Sequence, residues 1–272
     1  MKLLKIEWLK FKGHPFFWIG MGLYALCMIL LVSKAGSIEW TTQNPDNPEG
    51  GTRIVNFGEA GFYKLPYIWH NVTYLAGYFK FIPAFLLIFF VSNEFQYRTY
   101  RQNIIDGLSI GEFYTSKLWS ALGFSLISVL IIGINTWIIA MMYNEDAGSA
   151  DYLARIDYLL AYFAEVLFLM VMALFLTFLF KRSTITVIII LLYYFIVEPL
   201  AGLAIGSPVQ DYLPTRPSRE MILQPFTRLL KLDAIIGNAS AEGVPLRPLL
   251  LTFFYTLVFA AGGWFLLKRR DL

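Results

Sequence analysis

Three charged side chains lie inside long apolar stretches of the sequence. Lys80, Glu165 and Glu198 each lie in a run that is otherwise almost free of charge. An unpaired charge is costly within a membrane, so such residues usually have a partner or line a pathway. We expect Lys80 and Glu165 to pair near one membrane surface, with Glu198 nearby. The pair either lines an outward cavity or is purely structural, with Lys80 reaching toward the surface.

Residues that usually carry catalysis or metal binding are scarce. His14 and His70 are the only histidines, and both lie outside the apolar runs, which excludes a histidine-based metal or haem site within a membrane. Cys27 is the single cysteine, so no intrachain disulfide can form. The chain has no G-x-x-x-x-G-K-[ST] motif for holding nucleotide phosphates. We therefore expect no catalytic site and no metal or cofactor bound by the chain itself.

Composition defines the environment that must position these residues. Of 272 residues, 57% are hydrophobic and 15% are charged, against about 25% charged in a soluble domain. This excludes a soluble globular enzyme, a disordered chain and a secreted disulfide scaffold. The net charge of +3 is too small to imply nucleic acid as a partner. The sequence predicts a polytopic protein embedded in a lipid bilayer.

The apolar runs predict an all-α integral membrane protein with six transmembrane helices in a single domain, 1–272. A helix crosses the hydrocarbon core with about 20 residues. The fifth run is interrupted by Glu198-Pro199, so its outer end is the least certain boundary. The predicted spans cover residues 16–33, 73–93, 118–143, 158–180, 183–206 and 248–267.

Two long outer loops are predicted between these spans. Residues 34–72 are rich in Gly, Pro and Asn, and this composition is typical of a loop with turns. Residues 207–247 carry an apolar pattern that predicts one or two re-entrant or interfacial helices. That pattern consists of Met221, Ile222, Phe226, Leu229, Leu230 and Leu232.

Basic residues set the expected orientation. Twelve of the 22 lysines and arginines fall in the short segments that share a side with the termini, whereas nine are spread over the longer opposite segments. The positive-inside rule then places both termini in the cytoplasm, in a plasma (inner) membrane protein. Ser33-Lys34-Ala35 loosely resembles a signal-peptide cleavage site, but the apolar run before it is too long, so we expect the first span to be retained.

The first 15 residues predict an interfacial helix. Leu4, Trp8 and Phe11 share one helical face, between lysines that can reach anionic headgroups. The alternative is an ordinary cytoplasmic flank that only sets topology.

The link between spans two and three predicts two helices meeting at a corner. Tyr97, Tyr100, Ile104 and Leu108 mark one helical face, and Gly107 can end that helix. Ser109 and Glu112 have the spacing of a capping box that starts a second helix at about residue 110. From 110 to 143 this helix would measure about 51 Å at 1.5 Å per residue. Because the hydrocarbon core is about 30 Å thick, its beginning should project into the cytoplasm.

The link also contains a motif made of Glu94, Arg98-Thr99, Asp106-Gly107-Leu108-Ser109, Glu112-Phe113 and Lys117. This motif resembles the first cytoplasmic coupling region of type-2 ATP-binding-cassette permeases. Three further features are similar to that family's layout: the basic N-terminal helix, the very short link Lys181-Arg182-Ser183, and the outer segment that begins with Leu213-Pro214.

The resemblance implies partners and a mechanism. Such permeases pair as homodimers or heterodimers, and each docks on a separate ATPase subunit that holds ATP and Mg. The implied role is a permease subunit, expected to be that of an exporter. The implied ATPase-coupling interface comprises Trp8, Glu94, Arg98, Arg101, Asp106, Gly107, Ser109, Glu112 and Lys117.

Two other functions fit the same layout. A secondary transporter without an ATPase would be expected to show an internal repeat and paired interrupted helices, and neither is evident in the sequence. A non-transporting membrane scaffold or sensor is the second alternative. The sequence leaves the transported substrate open.

Overall fold

The structure is a computed structural model, and it describes residues 2–43, 52–58, 60–145, 148–206, 209–225 and 243–269. Helices dominate these residues. They are α1 (Lys2–Lys12), α2 (Pro15–Ala35), α3 (Ile68–Ala76), α4 (Phe81–Gln96), α5 (Thr99–Ile105), α6 (Ile110–Tyr143), α7 (Ser149–Leu153), α8 (Asp157–Phe180), α9 (Ser183–Leu192), α10 (Glu198–Ile205), α11 (Arg216–Glu220) and α12 (Leu246–Arg269). A π-helical turn, Tyr193–Val197, joins α9 to α10, and a 3₁₀ turn spans Val209–Tyr212.

Among the described residues, five helical stretches are long and apolar enough to cross a membrane. They are α2, α6, α8 together with the short α7 before it, α9 continued by α10, and α12. The pair α3 and α4 makes a sixth if it is counted as one span bent by 43°. The prediction of long apolar helices is confirmed for five of the six expected spans.

The second span differs from the predicted continuous helix over 73–93. It begins earlier, at Ile68, and breaks between Ala76 and Phe81. Lys80 therefore lies at the break and not inside a helix. Pro83 falls in the first turn of α4, where a missing backbone N–H removes no intrahelical hydrogen bond. The break thus accounts for both residues that made the span irregular in sequence.

The bundle is organised around α8, which packs against α4, α6 and α12. Most of α8 is buried, as at Val166, Met170 and Ala173. The outward faces of α2, α6 and α12 carry half-exposed apolar side chains such as Leu23 and Ile134. Such faces suit the hydrocarbon core of a bilayer, where exposing apolar side chains has no free-energy cost.

Between α2 and α3 the chain forms a small hairpin where the composition indicated only loop and turns. Strands β1 (Glu39–Gln43) and β2 (Thr52–Asn56) pair antiparallel, with Glu39 opposite Asn56 and Gln43 opposite Thr52. Both strands contain β-branched residues, which favour extended backbone. The predicted turn residues between them, 44–50, lie outside the described residues.

Two ends of the bundle can be distinguished by their loops. The basic end holds α1, the link Tyr97 to Ser109, the link Lys181–Arg182 and the end of α12, since Lys181 lies over the Phe95 ring and Trp264 contacts Tyr114. The opposite end holds the hairpin, α3, α7 and α11. Of the pattern predicted for 207–247, Met221 and Ile222 are buried, whereas Phe226, Leu229, Leu230 and Leu232 lie outside the described residues.

Candidate functional site

At the opposite end, a charge cluster joins Lys80, Glu165, Tyr194, Glu198 and Arg219. Lys80 starts α4 at the break in the second span, and its side chain is only 1% exposed. Its Nζ donates to the carboxylate of Glu165 on α8 and, at 2.6 Å, to the Tyr194 hydroxyl. The side chains that the sequence predicted to pair are therefore in direct contact. Because Lys80 lies in the break before α4, its side chain can extend directly to α8.

Glu198 belongs to the same cluster through a second ion pair. Its carboxylate accepts from Arg219 Nη2 at 3.0 Å and from the Thr215 backbone N–H, also at 3.0 Å. The Arg219 guanidinium lies 4.7 Å from the centroid of the Tyr194 ring. Tyr194, in the π-helical turn, thus stands between both ion pairs. The sequence analysis missed Arg219 and Tyr194; for Tyr194 the signal was the interruption of the fifth span by Glu198-Pro199, whereas Arg219 lies in a separate helix, α11.

A cavity of about 500 Å³ opens beside this cluster. A volume of this size suits a small organic ligand or a lipid headgroup. Arg216 and Glu220 of α11 form part of its wall and pair with each other at 2.7 Å. We call this cavity the outer pocket; its lining also includes Tyr74, Tyr78, Phe81, Glu165, Tyr194, Phe195, Pro199, Arg219, Ile222 and Leu223.

At the basic end, a polar hub of Glu7, Lys10, Glu94 and Lys117 ties three helices together. Lys117 of α6 is 1% exposed, and its Nζ contacts both Glu7 carboxylate oxygens at 2.9 Å and Glu94 Oε1 at 2.6 Å. Lys10 contacts Glu7 at 3.0 Å and Glu94 at 3.2 Å. The hub therefore fixes α1 against the end of α4 and the beginning of α6.

The polar hub shifts the pKa values of two side chains of α1, Glu7 and Lys10. Burial by itself would raise the pKa of Glu7, but the charges and hydrogen bonds of Lys117 and Lys10 outweigh it and lower the pKa below its ordinary 4.5. Burial opposes the charged form of Lys10 as well, yet Glu94 and Glu7 raise its pKa above 10.5. Both groups are therefore held in their charged forms at neutral pH.

Helix α5 lies outside the hub and carries exposed side chains. Arg101 and Asp106 are exposed, and Ile105, an apolar residue, is 84% exposed. The helix is bounded by two residues with left-handed backbone, Arg98 at φ 59° and Gly107 at φ 97°. Its inner side packs through Tyr100, whose ring centroid lies 4.6 Å from that of Phe113 on α6.

The corner between α5 and α6 is a complete capping box, as the sequence predicted. Ser109 N–H donates to Glu112 Oε2 at 2.9 Å, and Glu112 N–H donates to Ser109 Oγ at 3.2 Å. This pairing satisfies backbone donors at the start of α6 and fixes where the long helix begins. The predicted helical start at residue 110 is confirmed.

The residues implied as a coupling interface separate into two groups. Arg98, Arg101, Asp106, Gly107, Ser109, Glu112 and Trp8 are exposed at the basic end. Glu94 and Lys117 lie inside the polar hub, so Lys117 can position helices but cannot touch a partner through its side chain. Tyr97 was expected on one helical face with Tyr100, Ile104 and Leu108; it instead precedes α5 and is 75% exposed, because the left-handed backbone of Arg98 turns the chain.

Both histidines have structural contacts. His14 Nδ1 caps α2 by accepting from the Phe16 backbone N–H at 3.3 Å. The His70 ring stacks on Tyr158 at 4.3 Å, and its Nε2 lies 2.6 Å from the Leu223 carbonyl oxygen. In the described part of the chain, no group of three His, Cys, Asp or Glu side chains could hold a metal ion.

Comparison with known proteins gives one family. A family model described as a protein of unknown function (DUF2705) matches residues 54–272, which include every described member of the charge cluster and α5. No curated protein and no solved structure matches the chain.

Proposed function

The chain belongs to a family of unknown function, DUF2705, and from its own geometry we propose that it is the membrane subunit of an ATP-driven exporter. A separate subunit would bind and hydrolyse MgATP. Both termini and α5 would face the cytoplasm of a cell whose plasma (inner) membrane holds the bundle. A second permease subunit, identical or different, would complete the transporter.

One observation carries the proposal: an exposed short helix is joined rigidly to a very long one. Helix α5 presents Arg101, Ile105 and Asp106 outward, while Tyr100 packs on Phe113 and the capping box fixes the corner to α6. Exposed arginine beside an exposed apolar residue is typical of a protein-protein contact. Because α6 runs for 34 residues, a push on α5 would reach the far end of the bundle.

The polar hub supports the same mechanism from the other side of the corner. A partner touching α1 near Trp8 would move α1 together with α4 and α6, because Lys117 holds Glu7 and Glu94 in one network. Breaking that network would leave a buried charge without a partner, which is costly. Closure of two ATPase subunits could thus tilt spans two and three as a unit. Positive flanks on the same side as the termini support a cytoplasmic location for this end.

Co-purification with an ATPase tests the proposal. The tagged full-length chain, extracted from native membranes in mild detergent, is expected to retain a P-loop ATPase that hydrolyses ATP. The substitution Arg101→Glu should reduce the recovered ATPase activity about tenfold, because a mismatched charge at an interface typically costs more than 1 kcal/mol. Deleting residues 2–12 should reduce it as well.

A charge reversal at the opposite end serves as the matched control. Lys64 is exposed there, so Lys64→Glu should leave the recovered activity unchanged. A chain that purifies folded and never retains an ATPase, in the native host, would contradict the proposal.

One observation favours an alternative function, a secondary transporter. The second span is broken at a buried lysine, and broken helices are common in such transporters. Transport by the purified chain in vesicles, driven by an ion gradient without any ATPase, would support this alternative over the exporter. A scaffold or sensor would show neither activity.

A further inference from the structure

The outer pocket is lined by charged and by apolar side chains. Its charged lining residues include Arg216, Arg219 and Glu220, together with Glu165, which pairs with Lys80. Its apolar lining residues include Phe81, Phe195, Pro199, Ile222 and Leu223. A ligand that fills the pocket must therefore satisfy charges with one part and bury apolar surface with the other.

The charges at the pocket balance. Lys80, Arg216 and Arg219 oppose Glu165, Glu198 and Glu220, and these residues form three ion pairs. A ligand with a net charge would leave part of its charge without a counterpart. A group that carries both signs, or neither, fits the balance.

The charged side chains of the lining can nonetheless form hydrogen bonds with a ligand. Arg219 Nε is buried and has no hydrogen-bond partner among the described residues. Arg216 and Glu220 are each about one-third exposed, so both can turn toward a ligand. Two arginines favour a phosphate or carboxylate, because the guanidinium presents paired donors. Glu220 favours an ammonium group a few ångströms away. These three side chains select a zwitterion over a neutral group.

Part of the apolar lining is also exposed at the surface of the bundle. Phe195 is 53% exposed and Tyr78 is 58% exposed, although both line the pocket. Phe195 follows the apolar α9, whose neighbouring Ile188 and Leu192 are also exposed. An acyl chain leaving the pocket would lie along this apolar face within the membrane.

We propose that the outer pocket binds a zwitterionic amphiphile, with an acidic group on Arg216 and Arg219, an ammonium group on Glu220, and its chain along Phe195. A phospholipid whose headgroup bears a primary amine has this chemistry. As a statement about the exported cargo, the inference rests on the proposed function. The binding itself does not depend on any ATPase.

Ligand binding to the purified full-length chain in a neutral maltoside detergent tests the inference. The probe is dihexanoyl phosphatidylethanolamine, and binding is read from the increase of the thermal unfolding midpoint with probe concentration. Dihexanoyl phosphatidylglycerol supplies an anionic comparison, a hexyl glucoside a neutral one, and glycerophosphoethanolamine the same headgroup without chains. We expect the zwitterionic amphiphile to bind at least tenfold more tightly than the other three.

The double substitution Arg216→Gln/Glu220→Gln removes both partners of one ion pair, so neither charge of the pair is left without its partner. We expect it to weaken probe binding at least tenfold, which corresponds to about 1.4 kcal/mol. The matched control is Asp211→Asn/Arg247→Gln, since these residues form a partly exposed pair with a 3.9 Å separation at the same end and outside the pocket. This control should bind the probe like the original chain.

Three results would overturn the inference: equal binding of all the amphiphiles, tight binding of the chainless headgroup, or unchanged binding by the double variant. Phe195→Ala provides an independent variant, expected to weaken the amphiphile at least fivefold. Because no ATPase takes part, failure of this experiment leaves the exporter proposal intact, and failure to retain an ATPase leaves the binding result intact.

Discussion

At the scale of single residues, two buried lysines tie separate helices together. Lys80 joins the break before α4 to α8, and Lys117 joins α6 to α1 and α4. A buried ion pair does not by itself stabilise a fold much, but removing one partner is strongly unfavourable. Both lysines therefore hold helices in a fixed register.

Replacing Lys80 tests whether its pair with Glu165 is structural. Lys80→Met leaves Glu165 buried without its cation, so we expect the free energy of unfolding to fall by about 3 kcal/mol. Thermal unfolding of the purified protein in detergent measures the change. The exposed Lys64 provides the control Lys64→Met, which should change it little. Normal stability combined with lost transport would identify a pathway residue instead.

The polar hub predicts a specific pH dependence. The lowered pKa of Glu7 means that its contribution to stability is fully present above 4.5 and is lost as pH falls through the folded-state pKa. Glu7→Gln should therefore destabilise the protein by about 2 kcal/mol at neutral pH, and the difference should shrink only below pH 4.5. Unfolding of both proteins across this range measures it. A difference that already closes at about pH 6 would require a raised pKa and would contradict the hub's electrostatics.

At the scale of secondary structure elements, local signals predicted helices well and long-range contacts poorly. Run length gave α6, α8 and α12 within a few residues, and the capping box gave the first residue of α6, because these signals are contained in neighbouring residues. The break near Gly77 was missed, since a glycine inside an apolar run is also tolerated in membrane helices. The hairpin was not predicted, because the sequence around its strands is rich in turn-forming residues.

Gly107 should be required for the corner between α5 and α6. Its φ of 97° would strain any residue with a Cβ. Because no atom lies within 4 Å of where that Cβ would be, a substitution would cause no steric clash. Gly107→Ala should therefore cost about 1 kcal/mol through backbone strain alone. Gly123 in α6 has equally open surroundings and an ordinary helical backbone, so Gly123→Ala should be neutral or slightly stabilising. Chemical unfolding compares the two; equal effects would mean that the corner conformation is not required.

At the scale of the whole molecule, the structure separates a charge cluster at one end from the polar hub and the exposed helix α5 at the other. The sequence predicted that Lys80 and Glu165 meet, because membrane charges seek partners. It did not predict the partner of Glu198, since Arg219 lies in the separate helix α11 and only tertiary folding brings it close. Nor did it predict that Lys117 is buried, although Glu7, the only acidic residue in α1, was a signal of such a pair.

The proposed orientation predicts which end is accessible from outside the cell. In a Cys27→Ser background, which has no other cysteine, Ser37→Cys marks the opposite end and Thr99→Cys marks the basic end; both positions are exposed. A membrane-impermeant maleimide applied to intact cells should label the first and not the second. Labelling of Thr99→Cys in intact cells would reverse the orientation and remove the basis for cytoplasmic coupling.

Contact between α5 and a separate ATPase is tested most directly by site-specific cross-linking. A photo-reactive amino acid at position 105, which is 84% exposed as isoleucine, should cross-link in native membranes to a P-loop ATPase identified by mass spectrometry. The same group at position 64, exposed at the opposite end, should not. The yield at position 105 should change between ATP and ADP, because the ATPase subunits would move against α5. Cross-links from position 105 only to lipid, or equal capture of the ATPase from both positions, would contradict the account.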